Sequence, residues 1–178
     1  MAKTRGDLVD AALQILSNYG LADLSMRRVA SAAGIQAASI YWHFSNKQQL
    51  LAALSDKILA ERAQTDSPQQ WADELRRVLL NFRDAAELVA ASLAIGLGSC
   101  DLVAEQAAQL RRAGLAKGAE EQTARAYVHF ILGHVMQEQA RAQAVELAVL
   151  ADQPTRDDAG FEVGLEVLTK GAAVISES

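Results

Sequence analysis

The chain has 178 residues, a net charge of −5 and an apolar fraction of 51%, and its length suits one ordinary domain or two small ones. Aromatic residues make up only 5% and there are two prolines, so we expect an aliphatic core built from helices. The single cysteine, Cys100, excludes an intrachain disulfide framework and a cysteine-rich zinc site. A small buried side chain is the favoured interpretation of Cys100.

The sequence has no apolar run of about 18 residues, and its first residues lack the continuous apolar stretch of a signal peptide. We therefore expect a cytoplasmic protein with no membrane partner. Residues 1–47 carry five basic and three acidic side chains, whereas residues 48–178 carry 12 basic and 19 acidic ones. This asymmetry would direct a polyanion to the front of the chain, although many proteins that bind no nucleic acid have a patch this weak.

The first predicted helix covers residues 5–19, where apolar side chains recur at helical spacing. Thr4 and Asp7 fit a capping box at its start, and Gly20 fits the left-handed residue that follows a helix end. These signals predict an amphipathic helix with one buried face.

Two further short helices are predicted, one from Ser25 to about Ala33 and one over residues 37–43. Gly34 lies between them, and a sharp turn between helices favours a residue that adopts positive φ without steric cost. The apolar residues Val29, Ala30, Ile35 and Ile40 are spaced to pack the pair onto the first helix. This arrangement is a helix-turn-helix, whose second helix enters the DNA major groove.

Asn46 can cap a fourth helix over residues 47–63, and the polar segment 64–70 is the best candidate for a linker. The rear of the chain predicts helices over residues 69–90, 101–113, 118–148 and 158–175. We therefore predict an all-α protein with a three-helix N-terminal domain (residues 1–47), a connecting helix (47–63) and a helical C-terminal domain (64–178).

The second helix of the motif offers side chains suited to DNA. Ser39 can bond a base edge or a phosphate, and Ala37 and Ala38 could touch a thymine methyl group. Lys47, at the start of the next helix, can meet a phosphate together with the helix N-terminus. By pattern alone, Tyr41 and Trp42 could equally be core aromatics.

Residues 24–51 include the glycine of the turn, the run Ile-Tyr-Trp-His-Phe at 40–44 and a following Ser-Asn-Lys. This string resembles the DNA-binding domain of the TetR (tetracycline repressor) family, and residues 5–51 match the family's pattern. The resemblance implies a transcriptional regulator that binds double-stranded operator DNA. It places DNA contacts at Ser25, Met26, Arg27, Gln36, Ala37, Ala38, Ser39, Tyr41, Trp42, His43 and Lys47.

The rear of the chain resembles the C-terminal domain of tetracycline repressors, through Trp71 with Phe82, residues 129–138 and residues 161–166. The resemblance implies that the last two helices form a four-helix bundle across a homodimer. Gly164 and Gly171, seven residues apart, would permit close approach of the helices.

The resemblance also places His129 where such repressors contact their drug. The segment expected to supply a magnesium-binding histidine reads Ala-Ile-Gly-Leu-Gly-Ser-Cys at 94–100, and Gln137 stands where a glutamate is expected. We therefore expect an unknown, largely apolar effector with no metal and no cofactor.

The predicted effector pocket combines two helix faces. His129, Gly133 and Gln137 are spaced by four residues and share one face of the long helix. Opposite them could lie Trp71, Val78 and Phe82, which would give an apolar cavity with few polar groups. The residues themselves fit ordinary core packing equally well, and the resemblance favours the pocket. Effector binding would shift the dimer to a state that no longer fits its operator, as in a repressor released by its ligand.

An enzyme is not expected, because no nucleophile, base and orienting group cluster in the sequence. His129 and His134 are five residues apart, about 140° around a helix, and make a poor shared metal site. The competing function is a helical bundle that binds small molecules and carries a non-functional DNA-binding head. The intact basic and aromatic residues of the helix-turn-helix favour the regulator.

Overall fold

The computed structural model describes residues 3–151 and 153–177, and within these ranges it contains helices and no β-strand. The helices are α1 (Arg5–Tyr19), α2 (Met26–Ala32), a 3₁₀ helix (Ser39–Trp42), α3 (Lys47–Leu59), α4 (Pro68–Leu80), α5 (Ala85–Ile95), α6 (Leu102–Arg112), α7 (Glu120–Glu146) and α8 (Asp158–Glu177). The prediction of an all-α protein is confirmed.

The chain forms two compact units. The N-terminal unit comprises Met1–Glu61 and Asn81–Cys100, and the C-terminal unit comprises Arg62–Leu80 and Asp101–Ser178. Residues 81–100 therefore fold with the start of the chain, although residues 62–80 of the other unit separate them from it in the sequence. The division into functional domains at residues 47 and 64 stays a prediction.

In the N-terminal unit, α1 packs against α2 and α3, and α5 packs against α3. The fully buried side chains at its centre include Leu8, Leu16, Leu24, Ile40, Phe44, Leu50 and Leu54. Each such side chain contributes about 1.5–3 kcal/mol through its removal from water. The helix-turn-helix thus rests on an aliphatic core, as its composition predicted.

The first helix begins with the predicted capping box. The backbone N–H of Asp7 donates to Thr4 Oγ1 at 3.2 Å, and the N–H of Thr4 donates to Asp7 Oδ2 at 2.8 Å. The hydrogen bonds from the Thr4 backbone and side chain hold the pKa of Asp7 below its ordinary value. Gly20 follows the helix with φ of +84° and ψ of 177°, so it has the positive φ of the predicted left-handed residue but not its ψ.

The predicted helix over residues 69–90 is wrong, because the structure divides it into α4 and α5. Asp84 adopts φ of +54° and ψ of +17°, a left-handed conformation that a right-handed helix cannot contain. No proline or glycine marks this break in the sequence. The types of residue there therefore gave no signal that the helix ends.

In the C-terminal unit, α7 packs against α4, α6 and α8. A Cβ atom at Gly164 of α8 would overlap the ring of Phe130 on α7, so this glycine is required for close packing inside one chain. A Cβ atom at Gly171 would meet nothing within 4 Å. The two glycines, predicted to act alike, therefore differ in their surroundings.

A buried ion pair joins three helices of the C-terminal unit. Arg76 of α4 donates from Nε to Glu138 of α7 at 3.0 Å and from a terminal nitrogen to Asp158 of α8 at 2.7 Å. The backbone N–H of Asp157 adds a hydrogen bond to Glu138 at 2.8 Å. Burial opposes the charged form of Glu138, but the hydrogen bonds from Arg76 and Asp157 prevail and hold its pKa below the ordinary value.

Candidate nucleic-acid interface and effector region

The turn of the helix-turn-helix is built as its sequence predicts. The hydroxyl of Ser25 accepts the N–H of Arg28 at 3.2 Å and so caps α2. Gly34 has φ of +71°, and a Cβ there would have nothing within 4 Å, so its conformation rather than lack of space requires glycine. The N–H of Ile35 returns to the carbonyl of Ala30 at 2.9 Å, which completes the turn.

Residues 36–43, the recognition segment, form a turn followed by a 3₁₀ helix, in the place of the short helix predicted over residues 37–43. The N–H of Ser39 donates to the carbonyl of Gln36 at 2.9 Å, and the N–H of His43 donates to that of Ile40 at 3.0 Å. Both are i to i+3 bonds, typical of a 3₁₀ helix in a short segment. The segment is too short for its apolar pattern to distinguish an α-helix from a 3₁₀ helix.

Buried apolar residues anchor the recognition segment. Ile40 within it and Phe44 after it are both fully buried, and the guanidinium of Arg5 lies 4.6 Å from the centre of the Phe44 ring. Tyr41 and Trp42 are 56% and 89% exposed. The alternative that these two aromatics belong to the core is therefore wrong.

The remaining predicted contacts of the segment are also accessible. Gln36, Ala37 and Ala38 are exposed, and Ser39 and His43 are half-buried. Their backbone is held by the hydrogen bonds above, so the side chains project from a fixed scaffold. Such a scaffold lowers the conformational cost of contacting a groove or a phosphate.

Lys47 occupies the first position of α3. Asn46 caps this helix by accepting the N–H of Gln49 at 2.9 Å, and the Gln49 side chain accepts the N–H of Ser45 at 3.2 Å. The helix N-terminus and the ammonium of Lys47 together form a positive site suited to a phosphate.

Two neighbouring arginines of α2 differ in their surroundings. Arg27 is exposed, whereas Arg28 pairs with Asp23 and stacks over the Tyr19 ring at 4.1 Å. Met26, also predicted to contact DNA, is buried at 9% exposure, and its contact with DNA stays a prediction.

The structure distributes the predicted effector residues over both units, and the pocket itself stays a prediction. Trp71 and Val78 are buried in the C-terminal unit, while Phe82 belongs to the N-terminal unit. His129, Gly133 and Gln137 are exposed, on the side of α7 about 180° from its buried face. The spacing of these three residues placed them on one face of α7, but it did not show whether that face meets the core or the solvent.

Two buried glutamines of α6 escaped the sequence reasoning. Gln106 Nε2 donates to the carbonyl of Pro68 at 3.3 Å, and Gln109 Nε2 donates to the carbonyl of Thr65 at 2.9 Å. Both Oε1 atoms are buried and accept no hydrogen bond from the described residues. A buried acceptor without a donor costs about 1–3 kcal/mol.

Glu105, next to Gln106 on α6, binds two further side chains of the same unit. Trp71 Nε1 donates to Glu105 Oε2 at 3.3 Å, and Arg62 donates to the same carboxylate at 2.8 Å. We call Trp71, Glu105, Gln106 and Gln109 the α4–α6 polar cluster. The signal that could have found it is two glutamines, three residues apart, on the apolar face of a helix.

Among the described residues, no group of three or more His, Cys, Asp or Glu side chains could hold a metal ion. In the same part of the chain, no helix is long and apolar enough to cross a membrane.

Two family models match the chain. Residues 8–54 match the bacterial regulatory proteins of the tetR family, and residues 64–175 match the tetracycline repressor-like C-terminal domain. The tetracycline repressor protein class A from transposon 1721 of Escherichia coli is 31% identical over 192 residues, covering 93% of this chain and 88% of that protein.

Solved structures agree with this assignment. BioQ of Mycobacterium smegmatis has a TM-score of 0.89 and 33% identity, covering 98% of this chain and 99% of that one. BioQ with its double-stranded DNA operator has a TM-score of 0.80 and 34% identity over 97% of this chain and 99% of that one. TetR-Q116A from Acinetobacter baumannii AYE, in complex with minocycline, has a TM-score of 0.75 and 29% identity, covering 99% of this chain and 100% of that one.

The resemblance found in the sequence is thereby confirmed. The chain belongs to the tetR family of bacterial regulatory proteins, as a DNA-binding regulator with a tetracycline-repressor-like C-terminal domain.

Proposed function

We propose that this regulator is a repressor that binds a palindromic operator as a homodimer and leaves it when a largely apolar small molecule binds the C-terminal unit. The observation that carries the proposal is the recognition segment, where Tyr41 and Trp42 project outward from buried anchors at Ile40 and Phe44. Exposed aromatic side chains on a rigid, capped scaffold suit a surface that meets DNA. The similarity to BioQ bound to its operator supports the same partner.

The proposed DNA contacts divide by chemistry. Tyr41, His43 and Lys47 would meet phosphates through a hydroxyl, an imidazole and an ammonium group. Base reading would fall to the segment Gln36, Ala37, Ala38 and Ser39, which is accessible in the structure. Trp42, Arg27 and the cap residue Ser25 would flank these contacts.

A homodimer is supported by an exposed apolar stripe on α8. Val163, Val167 and Val174 are 59%, 64% and 63% exposed, and their spacing places them within about 40° of one another around the helix. Covering such a stripe with a second copy would remove it from water. A two-fold dimer presents two recognition segments, which explains the proposed palindromic operator.

The effector is proposed to bind beside the α4–α6 polar cluster in the C-terminal unit. Trp71 and Val78 of the predicted pocket lie in this unit and supply apolar surface. The unpaired Oε1 atoms of Gln106 and Gln109 would accept hydrogen bonds from an effector that carries donors. The similarity to a TetR protein that holds minocycline supports a small molecule in this domain.

Some predicted effector residues need a different partner in this proposal. His129, Gly133 and Gln137 lie on the exposed side of α7, so they would meet the second subunit or an effector that reaches it. We propose no catalytic activity and no metal or cofactor for this regulator, and we place it in the cytoplasm with its DNA.

The test is a footprint of the full chain on DNA flanking its own gene, with Tyr41→Ala and Tyr41→Phe alongside. We expect a two-fold symmetric protected site, abolished by Tyr41→Ala and weakened less by Tyr41→Phe, which keeps the ring. Retention of full protection by Tyr41→Ala would contradict the proposed docking. Lack of protection at low salt on both this DNA and a random-sequence pool would favour the small-molecule-binding bundle with a non-functional head.

A further inference from the structure

The N-terminal unit includes a segment from the middle of the chain. Residues 81–100, which we call the α5 segment, fold with Met1–Glu61, although the tetracycline repressor-like family model covers them. Its helix packs against α3, and its residues Leu88 and Val89 are fully buried. The segment is thus part of the structural support of the helix-turn-helix.

The front end of the α5 segment holds the turn between α1 and α2. Asp84 Oδ2 accepts the backbone N–H of Leu21 at 2.7 Å. Gly20 makes room for this contact, because a Cβ there would lie 2.6 Å from the same oxygen. The carbonyl of Leu21 in turn accepts the N–H of the fully buried Leu24 at 3.1 Å, immediately before the cap of α2.

The backbone of Asp84 is specialised for this contact. Its φ of +54° is a left-handed conformation, which Asp and Asn adopt more readily than other non-glycine residues. Such a conformation is unfavourable for a residue with a side chain and persists where the surrounding structure determines it. The hydrogen bond from Leu21 is part of what determines it here.

The far end of the α5 segment is also held by a carboxylate. Asp56 of α3 accepts the N–H of Ser99 at 2.9 Å and that of Cys100 at 3.2 Å. A Cβ at Gly98 would lie 3.1 Å from the same side chain, so the loop approaches Asp56 closely. Both ends of the segment are therefore bound to residues of the first 61.

We propose that Asp84 is a positioning residue for operator recognition, which fixes the α1–α2 turn and thereby the start of α2. Loss of its side-chain acceptor frees the turn that precedes Ser25 and Arg27, so the helix-turn-helix no longer keeps one geometry. Specific binding needs that geometry, whereas non-specific binding depends mainly on charge. The DNA consequence rests on the proposed operator-binding function.

The test compares Asp84→Gly with Asp84→Asn in the full chain. Glycine and asparagine both adopt the left-handed conformation, but only asparagine retains a side-chain acceptor for the backbone N–H of Leu21. Operator and random-sequence DNA affinities are measured by fluorescence anisotropy, at a temperature where circular dichroism shows both variants folded. We expect Asp84→Gly to lower the ratio of operator to random-DNA affinity about tenfold, and Asp84→Asn to change it by less than about threefold.

Amide hydrogen exchange at Leu21 provides a readout that needs no DNA. We expect faster exchange of this amide in Asp84→Gly and near wild-type exchange in Asp84→Asn. Equal affinity ratios in all three proteins, or a loss shared equally by operator and random DNA, would overturn the positioning role. If the wild type binds no DNA, the proposed function fails, and unchanged Leu21 exchange in Asp84→Gly would separately overturn the contact.

Discussion

The two compact units bury different kinds of side chain. The N-terminal unit buries aliphatic anchors such as Ile40 and leaves aromatic side chains of the recognition segment exposed. The C-terminal unit buries ionised and amide groups, among them Glu138 at 4% exposure and Gln106 at 0%. A surface that meets DNA needs accessible polar groups on a rigid base, whereas a domain that accepts a small molecule benefits from polar groups removed from water.

The largest expected effect lies in the C-terminal unit, at Arg76. Arg76→Ala leaves Glu138 buried without its cation, so we expect a loss of about 3–5 kcal/mol in the free energy of unfolding, measured by urea denaturation. The matched control is Arg125→Ala, which removes an exposed pair with Glu121 and should cost less than about 1 kcal/mol. Equal losses of unfolding free energy in the two variants would show that the buried ion pair contributes no more to stability than the exposed one.

Acid titration sharpens the same comparison. The pKa of Glu138 is lowered in the folded state, so its stabilising contribution is complete at neutral pH and is lost as the pH falls below about 4.5 toward the folded value. We expect the unfolding free energy of the wild type to fall more steeply over this acidic range than that of Arg76→Ala. Parallel pH profiles of the two proteins would contradict this linkage.

In the N-terminal unit, the corresponding test removes an apolar anchor. Ile40 is fully buried, so Ile40→Ala should cost about 3 kcal/mol and release the recognition segment, which abolishes specific DNA binding. Ile40→Val should cost about 1 kcal/mol and leave operator binding nearly intact. Thermal melting and anisotropy measure the two effects, and tight operator binding by folded Ile40→Ala would show that the anchor is unnecessary.

A smaller effect is expected at the turn glycine. Gly34 has φ of +71° and open space around its Cβ position, so Gly34→Ala should cost about 1 kcal/mol through backbone strain alone. Gly34→Asn should cost less, because asparagine tolerates this conformation. The free energies of unfolding of the two variants test this order, and a reversed order would mean that side-chain contacts decide the turn.

The smallest effect on stability is expected at Lys47. Lys47→Ala should leave the melting temperature unchanged, weaken binding to operator and random DNA alike, and reduce the magnitude of the salt slope by about 1. Lys170→Ala is the control, since this exposed lysine pairs with Glu166 in the C-terminal unit. An unchanged salt slope in Lys47→Ala would remove this residue from the phosphate contacts.

Local signals in the sequence predicted the N-terminal unit well. The capping box of Thr4 and Asp7, the cap at Asn46 and the positive-φ glycine at Gly34 are all present in the structure. Each of these features depends on residues at most three positions apart. Short-range hydrogen bonds and backbone preferences therefore made them predictable.

Longer-range features escaped prediction. The break between α4 and α5 depends on Asp84, whose partner Leu21 lies 63 residues away. The burial of Met26 and the outward direction of His129 depend on which face of a helix meets its neighbours. Helical spacing identifies residues that share a face but does not assign that face to the core.

Neighbouring residues and a compact motif were sufficient to predict the helical class, the helix-turn-helix, its caps and the family resemblance. Three-dimensional contacts were needed to show that the α5 segment folds with the N-terminal unit and that Arg76 binds both Glu138 and Asp158. These contacts join residues tens of positions apart, and their energies depend on burial, which no local pattern encodes.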